Sequence, residues 1–172
     1  MPIASNPSMT DPGADSDIFL AVTTDRGKIK GESRTEDHED DIEVRRWSWG
    51  ATSSSVYGTG PATARCQFAP LVVVKGLDSA SSGLLNTLYN NAVVTDAQLS
   101  MRKAGGDALD YFSLRLGGAR ITGIQVGVDD AGRPSETVTL EYATLEFVYK
   151  RQSPEGADAG SFSFEGQAMG AS

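Results

Sequence analysis

Residues 41–50 read Asp-Ile-Glu-Val-Arg-Arg-Trp-Ser-Trp-Gly, and residues 98–106 read Gln-Leu-Ser-Met-Arg-Lys-Ala-Gly-Gly. Both are strand sequences that end in turn residues, since side chains alternate between faces and glycine interrupts the run. In the first segment Ile42 and Val44 share a face with Arg46 and Ser48, while Trp47 and Trp49 lie opposite with Glu43 and Arg45. A strand of constant parity would leave one of these sets in water. Residues 136–149 carry the same conflict: Val138, Leu140 and Tyr142 share one face, and Leu145, Phe147 and Tyr149 share the other. Two solutions stand open. A β-bulge near Ala143-Thr144 can reset the phase, or a partner subunit can cover the second face. Both favour a bent, closed sheet or one buried twice.

From Asp17 onward the chain is a series of short apolar or alternating runs separated by turn residues, an all-β pattern. Strands are expected at 18–23, 28–32, 41–50, 65–75 (with Leu71-Val72-Val73-Val74 as a buried stretch), 96–104, 108–116, 119–128 and 161–167, and one long strand at 136–151. Thr24-Asp25-Arg26-Gly27 and Asp129-Asp130-Ala131-Gly132-Arg133-Pro134 read as turns. The charged residues 34–41 are expected to be solvated, and the Ser/Thr/Gly-rich 51–61 to form a long flexible loop. One helix is expected: Asp78 to Ser82 offer N-caps before an apolar stripe of Leu84, Leu85, Leu88 and Tyr89. The fold class is therefore mainly β, a β-barrel of two antiparallel-rich sheets with one flanking α-helix. Residues 1–16, rich in Pro, Ser, Asp and Gly, read as a disordered tail, 17–168 as the barrel domain and 169–172 as a short tail.

A chain of 172 residues fits one domain. Its net charge of −8 would repel nucleic acid and an anionic membrane surface. No apolar run approaches the ~20 residues of a membrane helix, and no basic region with an apolar core marks a Sec-type signal peptide. The single cysteine, Cys66, cannot form an internal disulfide, so a reducing compartment during folding is expected.

Motifs for catalysis are missing: there is no Gly-x-Ser-x-Gly elbow and no Walker loop. His38, in Thr-Glu-Asp-His-Glu-Asp-Asp, reads as part of a solvated acidic loop rather than a metal or acid–base site. Asp129-Asp130 beside Ala131-Gly132 reads as a turn rather than a carboxylate pair. Cys66, beside an apolar strand, reads as a packed thiol. Trp47 and Trp49 can serve as an aromatic ligand platform, but read as core anchors. In that case alternation turns Ser48 and Arg46 to the opposite face, a polar and sterically open surface bordering a cavity or channel.

Several ordered blocks resemble one family. These are Asp17-Ile18-Phe19-Leu20, Ile29-Lys30-Gly31-Glu32-Ser33, His38 through the Trp47-Ser48-Trp49-Gly50 strand end, and Lys75 with Asp78-Ser79 before the Leu84-Leu85 helix. Leu99-x-x-Arg102-Lys103-Ala104-Gly105-Gly106 is the most specific, followed by Asp110-Tyr111-Phe112 and Glu136-Thr137-Val138-Thr139-Leu140. Together they resemble the haemolysin-coregulated proteins (Hcp), inner-tube subunits of the type VI secretion system. The resemblance implies a β-barrel that forms homohexameric rings stacked into a tube, with sheath, spike and effector proteins as partners. It implies no enzyme activity, no cofactor or metal, no nucleic-acid partner and no membrane insertion. The protein would reside in the bacterial cytoplasm and then be secreted without a signal peptide, carrying effectors in its lumen as a chaperone. Ser48 and Arg46 would face that lumen. The loops holding Glu36, Asp37 and His38, and Ser53, Ser54 and Ser55, would contact neighbouring rings. A small-ligand-binding barrel using Trp47 and Trp49, the tube protein of a phage-tail-like contractile system, and a hydrolytic effector are the alternatives.

Overall fold

The computed structural model describes residues 16–54, 65–104, 109–152 and 158–168. In chain order the elements are β1 (Ser16–Thr24), β2 (Gly27–Ile29), β3 (Ile42–Ser48), β4 (Ala51–Ser54), β5 (Arg65–Phe68), β6 (Leu71–Lys75), α1 (Ser81–Tyr89), β7 (Val94–Lys103), β8 (Asp110–Val128), β9 (Pro134–Glu141), β10 (Thr144–Gln152) and β11 (Asp158–Gln167). Strands β7-β1-β3-β6-β9-β8 pair in that order, and β8 pairs back onto β7, which closes a six-stranded antiparallel barrel. β10 and β11 extend the sheet outward from β8, β2 pairs with β1, and β4 and β5 form a separate ribbon. The described residues are mainly β with one short helix, as expected.

Both parity conflicts resolve by local irregularity. In β3, Val44 opposes Lys75 but Arg46 opposes Val74, so Arg45 is the extra residue of a bulge. Ile42 and Val44 before it, and Trp47 and Trp49 after it, all pack on the core. The expected long strand 136–151 is two strands. β9 pairs with residues 120–128 of β8 and β10 with 112–117, so the two run end to end along one edge of β8. Tyr142 and Ala143 break the run and switch the buried set from Val138 and Leu140 to Leu145. Opposite the break, Gly118 takes φ +57, the left-handed region that glycine enters without penalty. The expected strands 108–116 and 119–128 are accordingly one strand bent at this point.

The barrel interior is filled by Leu20, Ile42, Leu71, Val73, Leu99, Leu114, Leu116, Val138 and Leu140, all with no solvent exposure. Each such side chain contributes about 1.5–3 kcal/mol. Val72 and Val74 are only half-buried, so the run Leu71–Val74 alternates instead of lying wholly inside. At the end of this layer Lys75 and Glu136, register partners on β6 and β9, are buried as well. Their ion pair measures 2.6 Å, and Lys75 Nζ also reaches Asp78 Oδ1 at 2.9 Å and donates to Ser81 Oγ at 3.1 Å. Ser81 Oγ in turn donates to Glu136 Oε2 at 2.7 Å. This cluster fastens the start of α1 to the barrel.

The helix corrects two expectations. Its N-cap is Ala80, whose methyl side chain has no acceptor to offer, while the nearby Asp78 carboxylate binds Lys75 and accepts from the Ala80 amide at 3.0 Å. The four-residue stripe splits. Leu84 is buried with Thr87 one turn on and Leu88 packs on the core, whereas Leu85 and Tyr89 are 55% and 87% exposed. A nine-residue helix on a convex barrel covers only one row of its side chains.

Candidate functional site

Two surfaces collect the residues singled out by the sequence. The first is the outward face of β3, β6, β9 and the second half of β8. Here Arg46, Val74, Thr137 and Gln125 stand in register as one rung, and Ser48, Val72, Thr139 and Gly123 as the next. Arg46, Ser48 and Gln125 are exposed, and the valines and threonines are half-buried. Arg46 is the only charged side chain in these two rungs, which otherwise carry small hydroxyls, valines, an amide and a glycine. The bulge at Arg45 is what puts Arg46 and Ser48 outside while the tryptophans pack inward.

The tryptophans do not form a common platform. Trp47 stacks on Phe112 with ring centroids 5.3 Å apart, and it borders an open cleft of about 760 Å³ shared with Met101 and Val126. Trp49 stacks on Phe68 at 5.9 Å, and its Nε1 donates to the Tyr142 hydroxyl, which donates to the Ala69 carbonyl at 2.8 Å. Burial raises the Tyr142 pKa above the usual phenol value, against the opposing pull of the Trp49 hydrogen bond.

The second surface is the loop between β2 and β3. Of the expected strand 28–32 only Lys28 and Ile29 pair with β1, joined by Gly27 from the expected turn. The chain then folds back on itself, with Gly31 N donating to Asp40 O at 2.8 Å and Ser33 N to Asp41 O at 3.1 Å. A Cβ at Gly31 would collide with the Asp41 carbonyl, which is the physical reason for glycine in Lys30-Gly31-Glu32-Ser33.

His38 contradicts the solvated-loop expectation: it is 6% exposed. Its Nδ1 lies 2.8 Å from Asp41 Oδ2, its Nε2 lies 3.0 Å from both Asp110 carboxylate oxygens, and its ring stacks on Phe19 at 4.2 Å. Asp41 is paired with Lys28 at 2.5 Å, and Asp110 with Arg102 Nε at 3.0 Å. Arg102 lies on the face of β7 opposite Leu99 and Met101, and it is buried under this loop, donating to the Glu36 carbonyl at 2.9 Å. Glu36 and Asp37 remain exposed on the rim.

The remaining residues fall outside these surfaces. Residues 51–54, expected as flexible loop, form β4 opposite β5, with Ser53 exposed. Ser54 pairs with Arg65 through the backbone, and Ser55 lies outside the described residues, as do the expected terminal tails 1–16 and 169–172 apart from Ser16. Ser16 already belongs to β1. Cys66 is exposed on the β4–β5 ribbon rather than packed, whereas Phe68 on the same ribbon packs on the core. Asp129 shapes the β8–β9 turn: Oδ1 accepts from the amides of Ala131 at 3.0 Å and Arg133 at 2.9 Å. Among the described residues, no group of His, Cys, Asp and Glu has the arrangement of a metal site. Sequence reasoning did not single out the Lys75–Glu136 pair or the role of Arg102 and Asp110. The signal available for the latter was that both lie, like His38, in family-like blocks.

The architecture is a small closed antiparallel barrel with a flanking helix and a two-strand extension of its sheet. The family described as "Type VI secretion system effector, Hcp" matches residues 19–149, and the chain belongs to it. It is 28% identical to protein Hcp1 of Pseudomonas aeruginosa over 148 residues, covering 84% of this chain and 89% of that protein. Hcp1 of Salmonella typhimurium superposes with a TM-score of 0.71 at 25% identity, over 90% of this chain and 95% of that one. Hcp1 of the Escherichia coli EAEC 042 pathovar gives 0.69 at 22% identity, over 86% and 97%. No helix among the described residues is long and apolar enough to cross a membrane.

Proposed function

We propose that this protein is the inner-tube subunit of a type VI secretion machine, a homohexamer whose rings stack, are expelled on firing and carry effectors in the lumen. The observation that carries this reading is the outward face of β3-β6-β9-β8. Two rungs of register partners present hydroxyl, amide, glycine and half-buried valine, with Arg46 as their only charge. Such a face suits the wall of a channel that passes varied cargo, since its two rungs offer hydrogen bonds with a single fixed charge. Ser48 and Arg46 line the lumen in this reading, and the protein works by shape, without catalysis. Sheath, spike and effectors are its partners, and it starts in the bacterial cytoplasm.

The reading is tested with Ser48→Cys in a Cys66→Ser background. Native mass spectrometry is expected to give a hexamer at micromolar concentration, and electron microscopy rings with a central hole. In the ring, a small thiol reagent labels position 48, while a reagent too large for the hole does not. A monomer at every concentration rejects the tube subunit; equal labelling by both reagents rejects the lumen assignment. The ligand-binding alternative, favoured by the cleft beside Trp47, predicts quenching of tryptophan fluorescence by an apolar ligand.

A further inference from the structure

The barrel wall is only partly closed between β1 and β3. The two strands share two register pairs, Phe19 with Glu43 and Leu20 with Ile42. Continued, that register would set Ile18 against Val44 and Asp17 against Arg45, but no such pairs form. The cause lies at Arg45: a bulge bends the strand that carries it, and β3 parts from β1 where the bulge begins. Past that point, among the described residues, 16–18 pair only with β7 and 44–48 only with β6. Each strand therefore turns one backbone edge, with its amides and carbonyls, toward the opening. The cleft of about 760 Å³ has Ile18 and Met101 on its β1–β7 side and Arg45, Arg46 and Trp47 on its β3 side.

The charges of this cleft do not balance. Arg45, Arg46 and Arg133 stand against Asp129 and Asp130, an excess of positive charge inside a chain of net charge −8. Asp129 is already engaged, with its Oδ2 3.2 Å from Arg45 NH1 and 2.9 Å from Arg133 Nε. Arg46 has no hydrogen bond or ion pair among the described residues. A guanidinium presents a planar fork of donors that matches a carboxylate. On the opposite face of β3, Trp47 with Ile18 and Met101 forms an apolar wall.

We propose that the cleft takes an extended segment of a cargo protein, laid as an added strand along the open edge of β3, with an acidic residue on Arg46 and an apolar residue on each side of it against the Trp47 wall. The inference rests on the tube reading, in which Arg46 faces the lumen, and names the cargo chemistry that this site selects. The alternation follows from the pleat. Successive side chains of a strand point to opposite faces, so a strand that sets one side chain beside Arg46 sets both neighbours on the face of Trp47. Strand addition draws affinity from main-chain hydrogen bonds and specificity from the alternate side chains. A basic segment is repelled by Arg46, a wholly apolar one gains nothing from it, and a small ligand leaves the open backbone edges unused.

The test uses the full chain and two dye-labelled synthetic peptides, one alternating valine with glutamate and one alternating valine with lysine. Binding is read by fluorescence anisotropy, and native mass spectrometry reports whether the ring is intact. The net charge of −8 by itself favours the lysine peptide, so a preference for glutamate has to come from the cleft. The glutamate peptide is expected to bind the ring and the lysine peptide to bind it more weakly. Arg46→Gln should lower the affinity for the glutamate peptide about tenfold, the scale of one charge-assisted hydrogen bond. Arg46→Glu should reverse the order of the two peptides. N-methylation of the peptide's backbone amides should abolish binding, since it removes the donors of an added strand; retained binding overturns the strand. Equal affinity for both peptides, a preference for lysine, or an unchanged affinity in Arg46→Gln overturns the acidic anchor. An intact ring that binds neither peptide overturns the inference while leaving the tube reading in place. A monomer at every concentration overturns the tube reading; if that monomer binds the glutamate peptide through Arg46, the peptide cleft stands without the tube.

Discussion

Lys75 and Glu136 are the clearest example of a residue whose worth depends on its partner. Each is a charge that would not stay in an apolar interior alone, and each is acceptable there because the other neutralises it at 2.6 Å while Asp78 and Ser81 fill the remaining bonding positions. Lys75→Met leaves the Glu136 carboxylate buried without its cation. Urea unfolding is expected to show a loss of about 3–5 kcal/mol. Replacing both by Met should recover a large part of that loss, because an apolar pair removes the orphaned charge; a double variant as unstable as the single one would show that the pair does more than neutralise. Residue-scale burial of this kind was not legible in the sequence. Lys75 follows an apolar run, and nothing local distinguishes it from a solvated strand end. His38 was misread for the same reason: its partner Asp110 lies 72 positions away, and the acidic stretch around it looks solvated until that contact forms.

At the scale of elements, the sequence disclosed that something must happen in two strands but not which remedy the chain uses. The face conflict of Ile42 and Val44 against Trp47 and Trp49 is visible by alternation alone, and the bulge at Arg45 removes it. Arg45 itself then reaches across to the β8–β9 hairpin, with NH1 donating to Asp129 Oδ2 at 3.2 Å and to the Pro134 carbonyl at 3.1 Å. The Arg133 amide, foremost among several donors, holds the Asp129 carboxyl below the usual carboxylate range, so it is the ionised form that orders this turn. The contribution is present above the ordinary carboxylate pKa and disappears as pH falls through the lowered folded value. Asp129→Asn is expected to speed amide exchange at Ala131 and Arg133 at neutral pH while leaving the barrel amides unchanged. Exchange at wild-type rates would show that backbone geometry alone maintains the turn. The helix was read correctly in position and wrongly in exposure, because its periodicity records how many apolar residues it has and not how much of the barrel lies beneath them.

Among the described residues, exposed apolar side chains gather in pairs or more at Leu85 and Tyr89 on α1, Val126 and Val128 on the hairpin, and Tyr149, Phe162 and Phe164 on the β10–β11 extension, with Leu77 and Val93 exposed on either side of the helix. A ring of identical copies requires two different, complementary patches on each subunit, and large exposed patches mark contact surfaces. On the tube reading, Phe162→Glu with Phe164→Glu is expected to shift the native mass spectrum from hexamer to monomer without changing the far-ultraviolet circular dichroism. A hexamer that persists would move the subunit contact to the helix or the hairpin. By itself the sequence determined the mainly-β class, the barrel with one flanking helix and the family, because period-2 alternation, turn residues and ordered local motifs are properties of neighbours along the chain. Tertiary structure alone decided which charges are buried, where the strands bend, and which apolar residues remain in water. Those outcomes depend on groups far apart in sequence meeting at hydrogen-bond distance, and on how much curved surface one element can cover.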